Sequence, residues 1–268
     1  MVDHTPTDPA TAAALARLYD VDLVEDPGDL ELYLALAARS GGPIVELAAG
    51  TGRISVPLAA AGYAVTAVDI DPAMLARARS SAARAGAATT ARLEIVQADL
   101  IDLRHPRAGQ FRLAILALNS LLLLGSRGAQ RAAIASMARL LAPGGLAVVD
   151  VWQPDTDDLA RFDGRLALEY LRQDPESGLQ VSKTAAAWYD PATGSTVLAA
   201  IYDEGGPGEA PRRWTRVDHL RLIRADELAA FAEDAGLVVE TLAGDYELSA
   251  IGPSSERAIL VAVRPGTA

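Results

Sequence analysis

Residues 44–69 read IVELAAGTGRISVPLAAAGYAVTAVD, and this stretch decides the fold. Its first four residues form a compact apolar run, which predicts a buried strand. Gly50 and Gly52 follow in a turn, and a segment with helical periodicity comes next. A second apolar run then ends at Asp69. The order is therefore strand, glycine turn, helix, and a second strand that ends on a carboxylate.

Strand and helix patterns continue to alternate up to Trp152, which favours a parallel sheet with helices on both faces. Asp71 and Pro72 suit the N-cap and the first position of a helix, and Asp29 is expected to cap an earlier one. Further strands are expected at 93–97, 113–118 and 146–152, and further helices at 12–19, 29–39, 72–84 and 128–141.

The alternation of strand and helix patterns ends after the fifth predicted strand, at 146–152. Four runs with strand character and no connecting helix occupy residues 165–223, so we expect hairpins of an antiparallel sheet. A helix at 225–235 and strands at 237–242 and 257–263 would complete the main sheet. The expected fold is α/β: a Rossmann-like seven-stranded, mostly parallel sheet with helices on both faces, plus an antiparallel β-sheet inserted between the fifth strand and the last helix.

Composition narrows the function. The 268 residues carry a formal charge of −11, with a pI of about 4.7, which argues against nucleic acid as a partner. The chain has no cysteine, which excludes disulfides, thiolate metal sites and cysteine nucleophiles. The apolar runs are too short to span a bilayer, and no secretory signal opens the sequence. We expect a cytoplasmic protein without a bound metal.

The glycine turn favours one cofactor over another. A dinucleotide fingerprint would place a third glycine where Ser55 stands. Glu46 lies four residues before Gly50, and a carboxylate there suits a ligand with an ammonium group. S-adenosylmethionine (SAM) carries an ammonium and a sulfonium, whereas NAD carries neither. The turn therefore points to SAM, with a dinucleotide oxidoreductase as the weaker interpretation.

Five segments occur in a recognisable order: VELAAGTGR at 45–53, AVDID at 67–71, QADL at 97–100, ALNSLLLL at 117–124 and LLAPGGLAVVDV at 140–151. Over residues 43–152 the chain resembles the class I SAM-dependent methyltransferases. One difference is Ala48, which stands at the first glycine of the family's pattern. It leaves open a relative that binds SAM poorly or performs different chemistry.

The resemblance implies a role for each matching residue. It places Asp69 at the ribose hydroxyls, Ile70 against the adenine, and Asp99 and the Leu100 N–H at the adenine edge. Asn119 would lie near the sulfonium, and Tyr19 in an N-terminal lid. The full set expected to contact the cofactor is Tyr19, Glu46, Ala48, Gly50, Gly52, Arg53, Asp69, Ile70, Met74, Asp99, Leu100 and Asn119.

Several of these side chains have an alternative structural role. Arg53 faces either the methionine carboxylate or solvent, and Glu46 pairs with either the cofactor or an arginine. Asp99 could act as a loop cap instead. No catalytic side chain is evident; the weak candidates are Tyr19 and His219, which shares a predicted strand face with Val217 and Ile223.

We divide the chain into a lid (1–40), a SAM-binding core (41–155), an antiparallel insertion (156–224) and a segment that completes the core sheet (225–268). The insertion either covers the substrate or forms a homodimer interface. The expected function is methyl transfer from SAM to an O, N or C atom of a small molecule, a specialised metabolite, with S-adenosylhomocysteine as product. The alternatives are an enzyme of this fold that uses SAM without methyl transfer, such as a cyclase, and a non-catalytic SAM-binding protein.

Overall fold

The computed structural model describes residues 8–25, 27–206, 208 and 210–266. The first seven residues, which include His4 and begin the expected lid, lie outside this part of the chain. Contacts divide the chain into two compact units. The core unit comprises residues 28–153 and 223–268, and the second unit comprises residues 1–27 and 154–222.

Strands and helices are numbered in chain order over the described residues. The strands are β1 (Ile44–Leu47), β2 (Val65–Asp69), β3 (Leu93–Gln97), β4 (Phe111–Leu116), β5 (Leu141–Trp152), β6 (Ala167–Gln173), β7 (Gln180–Asp190), β8 (Ser195–Gly205), β9 (Arg212–Arg221), β10 (Val238–Ala243) and β11 (Arg257–Val263). The helices are α1 (Pro9–Asp22), α2 (Leu30–Ser40), α3 (Ser55–Ala60), α4 (Pro72–Ala85), α5 (Ala87–Arg92), α6 (Arg127–Leu140), α7 (Thr156–Ala160) and α8 (Ala225–Asp234), with a 3₁₀ turn at Leu122–Leu124.

The core unit contains a seven-stranded sheet in the order β10-β11-β5-β4-β1-β2-β3. Its strands are parallel except β11, which runs antiparallel to both β5 and β10. Every residue of β1 is buried, as are most of β2 and β4, which is why these strands read as continuous apolar runs. The predicted fold class is confirmed. The carboxyl ends of β1, β2 and β4 meet at one edge, where ligands bind in such sheets.

Helix capping was predicted correctly in one case and wrongly in another. The Asp71 side chain accepts hydrogen bonds from the first turn of α4, and Pro72 is the first helical residue. Asp29 precedes α2, but its side chain makes no capping hydrogen bond. It is fully buried and paired with the Arg53 guanidinium instead, because a buried carboxylate is stabilised more by a cation than by an amide.

The second unit holds an antiparallel sheet in the order β6-β7-β8-β9. All four strands lie within residues 165–223, the region predicted to form antiparallel hairpins. Helix α1 packs on this sheet, where Leu18 and Val21 meet Val181 and Tyr202. The short helices α5 and α7 were not predicted, because neither carries an apolar periodicity long enough to be recognised. None of the described helices is both long and apolar enough to cross a bilayer.

The division into units cuts through the segment expected to act as one lid. Helix α1 belongs to the second unit, whereas α2 belongs to the core unit. Each helix belongs to the unit on which its apolar residues pack. Leu18 of α1 packs with residues of the antiparallel sheet, and Tyr33 of α2 is fully buried in the core cluster. The lid and cover roles remain predictions.

A partly buried polar network joins α1 to its sheet. Asp22 accepts hydrogen bonds from Tyr170 Oη at 2.6 Å, Tyr202 Oη at 2.8 Å and Lys183 Nζ at 3.1 Å. Removing Asp22 would leave all three donors without this acceptor, which costs more than losing one exposed pair. The network therefore anchors the C-terminal end of α1.

We expect Asp22→Ala to lower the free energy of unfolding by about 2 kcal/mol or more, measured by urea denaturation. The matched control is Glu169→Ala, which removes the more exposed carboxylate at 3.0 Å from the same lysine and should cost ~0–1 kcal/mol. Equal losses in the two variants would contradict the anchoring role.

Candidate functional site

The glycine turn follows β1, and every second residue of it, from Ala48 to Gly52, has a backbone conformation in the left-handed region. Ala48 has φ 54°, Gly50 has φ 55° and Gly52 has φ 83°. A Cβ atom on Gly52 would come within 3.0 Å of Val56 and 3.1 Å of Ala78, so glycine is required there for packing as well as for conformation. Ala48 adopts its conformation at a steric cost that glycine would not have.

Asp69 ties this turn to the end of β2. Its carboxylate accepts hydrogen bonds from the Gly50 N–H at 2.7 Å and the Asp71 N–H at 2.9 Å. Burial raises the pKa of this carboxyl, while the two N–H groups oppose the shift. The next residue, Ile70, is 51% exposed beside the carboxylate. An acceptor group and an apolar side chain thus lie together at the strand end.

Glu46 is buried in the middle of β1. The Ser55 hydroxyl donates a hydrogen bond to its carboxylate, and the charge of the Arg53 guanidinium also acts on it. Burial raises the pKa of Glu46 to about 8, against the opposing effects of Ser55 and Arg53. A positive group beside this buried carboxyl would lower its pKa and favour the ionised form, so the site suits a cation.

Arg53 follows Gly52 and faces Asp29, rather than bulk solvent. Its two terminal nitrogens donate to the two carboxylate oxygens at 2.5 and 2.7 Å. The Asp29 side chain has no exposed surface, and that of Arg53 is 21% exposed. The pair therefore fixes the guanidinium next to the glycine turn. Contact with a methionine carboxylate remains a prediction.

The loop after β3 holds the residues predicted at the adenine. Asp99 accepts a hydrogen bond from the Ile101 N–H at 2.9 Å, so it does stabilise a turn. That bond uses one of about four acceptor positions of the carboxylate, and the adenine role remains a prediction. Leu100 is buried, and Met74 lies half-buried in the first turn of α4.

Asn119 lies in a turn at the end of β4. Leu118 and Asn119 have φ 46° and 67°, two successive residues in the left-handed region. Asn119 Oδ1 accepts from the Trp152 N–H at 2.6 Å, and the Asn119 N–H donates to the Asp150 carbonyl at 3.0 Å. The turn is therefore held by β5.

Two predicted residues belong to the second unit. Tyr19 is half-buried on α1. His219 lies on the exposed side of β9 with Val217, which is 48% exposed. The expectation that Ile223 shares their strand face is wrong, because β9 ends at Arg221 and Ile223 is a buried residue of the core unit.

A buried polar group was missed by the sequence analysis. Asp150, in the apolar strand β5, contacts Arg257 and Tyr246. Tyr33 is also fully buried, and its hydroxyl has no hydrogen-bond partner among the described residues. The carboxylate within AVVDVW was the available signal, since an ionised residue in a buried strand needs partners. The described residues contain no cluster of three or more side chains suited to a metal.

Residues 44–145 match the family model described as "Methyltransferase domain". This segment of the chain is therefore similar to methyltransferase domains. Its glycine turn, Asp69 and Asn119 lie within the matched segment, as do Asp99 and Leu100. The resemblance inferred from the five motifs is thus confirmed.

Solved structures show the same fold along almost the whole chain. CcbJ methyltransferase from Streptomyces caelestis has a TM-score of 0.77 at 24% identity, over 96% of this chain and 98% of that chain. The sugar N-methyltransferase KedS8 from Streptoalloteichus sp. ATCC 53650 has a TM-score of 0.72 at 22% identity, over 93% of this chain and 92% of that chain. SAM-bound CalS10 from Micromonospora echinaspora, an amino pentose methyltransferase, gives 0.67 at 20% identity, over 92% and 96%.

The curated relatives match either over a short segment or over most of the chain at low identity. Rv1403c, an uncharacterized protein of Mycobacterium tuberculosis (strain ATCC 25618 / H37Rv), is 48% identical over 48 residues. That match spans 18% of this chain and 18% of the mycobacterial protein. YqeM of Bacillus subtilis (strain 168) is 24% identical over 94% of this chain and 96% of that protein.

The strain at Ala48 leads to a stability prediction. We expect Ala48→Gly to raise the free energy of unfolding by about 0.5–1 kcal/mol, because glycine occupies the left-handed region without the Cβ contact. Ala49→Gly, at the buried neighbour outside that region, should instead lower it by about 1 kcal/mol. Urea denaturation measures both, and a loss in Ala48→Gly would refute the strain.

The pKa of Glu46 leads to a prediction about pH. The folded protein keeps this proton up to about pH 8, whereas an unfolded glutamate loses it near 4.5, so the stabilisation is complete below 4.5 and lost as pH rises through 8. Relative to Glu46→Gln, the wild type should therefore lose more than about 1 kcal/mol of unfolding free energy between about pH 5 and pH 8.

Denaturation at the two pH values measures this difference. The exposed Glu233→Gln serves as the control and should show no such change relative to the wild type. A constant difference between wild type and Glu46→Gln would mean that Glu46 is ionised throughout the range.

Proposed function

We propose that this protein is a SAM-dependent methyltransferase that acts on a small molecule. The observation that carries the proposal is the arrangement around Asp69. Its carboxylate holds the Gly50 N–H at 2.7 Å and has the exposed Ile70 beside it. The N–H groups of Gly50, Asp71 and Ile70 interact with a carboxylate that has about four acceptor positions, which leaves room for a ribose hydroxyl.

The other core residues fit the same ligand. Glu46 is a buried carboxyl that a ligand ammonium would ionise, and Ile70 offers an apolar surface to an adenine ring. Asp99 and Leu100 would meet the adenine edge. Arg53, already oriented by Asp29, would face the methionine carboxylate. Tyr19 keeps its proposed place in a lid.

Bound SAM supplies an electrophilic methyl group and its own leaving group. The protein's residues then have to bind, orient and exclude water, and orientation alone can account for roughly 7–11 kcal/mol of a barrier. This explains why a general base is not required in the core unit. His219 remains a weak candidate for proton removal.

We propose an amine on a sugar as the acceptor. KedS8 and CalS10, which share the fold, are described as a sugar N-methyltransferase and an amino pentose methyltransferase. The net charge of −11 would favour a cationic or neutral acceptor over a polyanion such as nucleic acid. A cytoplasmic location and a homodimer through the second unit belong to the same proposal.

Calorimetry tests cofactor binding. SAM and S-adenosylhomocysteine should bind at concentrations below ~1 mM, whereas NAD should not. Asp69→Ala should weaken SAM binding by about 1–3 kcal/mol, because its hydrogen bonds to the ribose are lost. The exposed Asp102→Ala is the control and should bind like the wild type. Absence of SAM binding would refute the proposed function.

Turnover tests the acceptor. Formation of S-adenosylhomocysteine should require an amino sugar, with its hydroxyl analogue as the matched negative control. Binding of SAM without turnover on any amino sugar would refute this acceptor class and favour the alternative without methyl transfer.

A further inference from the structure

Asp150 is a fully buried carboxylate that accepts three hydrogen bonds and makes one further ion-pair contact. Arg257 Nε donates to Oδ1 at 2.7 Å, and Arg257 Nη2 lies 2.6 Å from the same oxygen as an ion pair without hydrogen-bond geometry. Tyr246 Oη donates to Oδ2 at 3.1 Å. The Leu118 N–H donates to Oδ2 at 3.3 Å.

The hydrogen bond from the Leu118 N–H, together with one to the Asp150 backbone carbonyl, holds a strained turn at Leu118 and Asn119. Leu118 and Asn119 are successive non-glycine residues with φ 46° and 67°, a conformation that costs roughly 1–2 kcal/mol for Leu118 and less for asparagine. Asp150 binds the first N–H through its side chain and the second through its carbonyl, at 3.0 Å. The neighbouring Trp152 N–H binds Asn119 Oδ1.

The turn lies beside the glycine turn. Strands β1 and β4 are parallel neighbours in which Glu46 is paired with Ile115. Continuing that register places Ala48 next to Ala117, one residue before the strained pair. The turn therefore occupies the edge of the sheet at which a methyl donor and an acceptor would meet. Strained backbone that is held by several contacts is often found at such sites.

We propose that Asp150, with its carboxylate fixed by Arg257 and Tyr246, is a positioning residue for methyl transfer that holds the Leu118–Asn119 turn in the geometry the acceptor requires. The inference rests on the proposed function, and it concerns the transfer step rather than cofactor binding. It assigns a role to Arg257 and Tyr246, which lie more than 100 residues away from the turn in sequence.

The first test measures the turn itself. In hydrogen–deuterium exchange, Asp150→Asn should increase exchange over residues 117–125 and leave residues 65–69 of β2 unchanged. Tyr246→Phe keeps the ion pair between Asp150 and Arg257 and should give a smaller increase in exchange over the same residues. This variant replaces Asp150→Asn in the test if Asp150→Asn folds poorly. Unchanged exchange over 117–125 in both variants would overturn the bracing role.

The second test separates turnover from binding. Asp150→Asn should lower kcat ~10–100-fold, whereas the Kd for SAM, to which Asn119 contributes one of several expected contacts, should rise by less than about fivefold, since misplacing a reacting group acts mainly on the transition state. Glu240→Gln, which breaks the surface pair with Arg39 in the same unit, should leave both values unchanged. A parallel loss of SAM binding would indicate general destabilisation and overturn the proposal.

A rescue experiment adds a readout that a purely structural role would not change. Glycine adopts the left-handed region readily, so Leu118→Gly in the Asp150→Asn background should recover at least about threefold of the lost kcat. No recovery would contradict the role of the turn. A wild type that binds SAM but transfers no methyl group would refute the proposed function instead, while the exchange result would still decide the bracing role.

Discussion

The Asp69 carboxylate is the point on which the core unit's site depends. It accepts the Gly50 N–H from the turn after β1 and the Asp71 N–H that precedes α4, so one side chain joins three elements. Gly52 reinforces the same junction, since its Cα lies where any side chain would meet Ala78 of α4. The carboxylate keeps the glycine turn close to the end of β2, and burial makes its hydrogen bonds indispensable. A ligand at this edge meets a surface that is already fixed.

Among the described residues of the core unit, the three buried acidic side chains each have a polar partner. Asp29 holds Arg53, Asp150 holds Arg257, and Glu46 accepts from Ser55. Such groups contribute little net stability, because desolvation offsets much of their attraction. Their presence favours a functional explanation, since shifted pKa values and paired buried charges are often found where a protein binds or transforms a ligand. The match to a methyltransferase domain over residues 44–145 includes Glu46, Arg53 and Ser55.

Local patterns were reliable where a residue acts on its own neighbours. Asp71 and Pro72 start α4 as predicted, because a capping side chain reaches only the next turn. Asp29 resembles Asp71 in sequence and behaves differently, because burial and the distant Arg53 change its preferred partner. Ile223 was assigned to the wrong face for a similar reason, since the end of β9 depends on contacts that the strand pattern does not contain.

The sequence by itself determined the sheet, the glycine turn, Asp69 and the methyltransferase resemblance, because these depend on periodicity and on motifs of adjacent residues. Tertiary structure alone decided the partners of the buried charges and the conformation of Ala48, Leu118 and Asn119. Asp150 and Arg257 are far apart in the chain and meet only because β11 pairs with β5. Long-range pairing and backbone strain arise from packing, which no local pattern in the chain encodes.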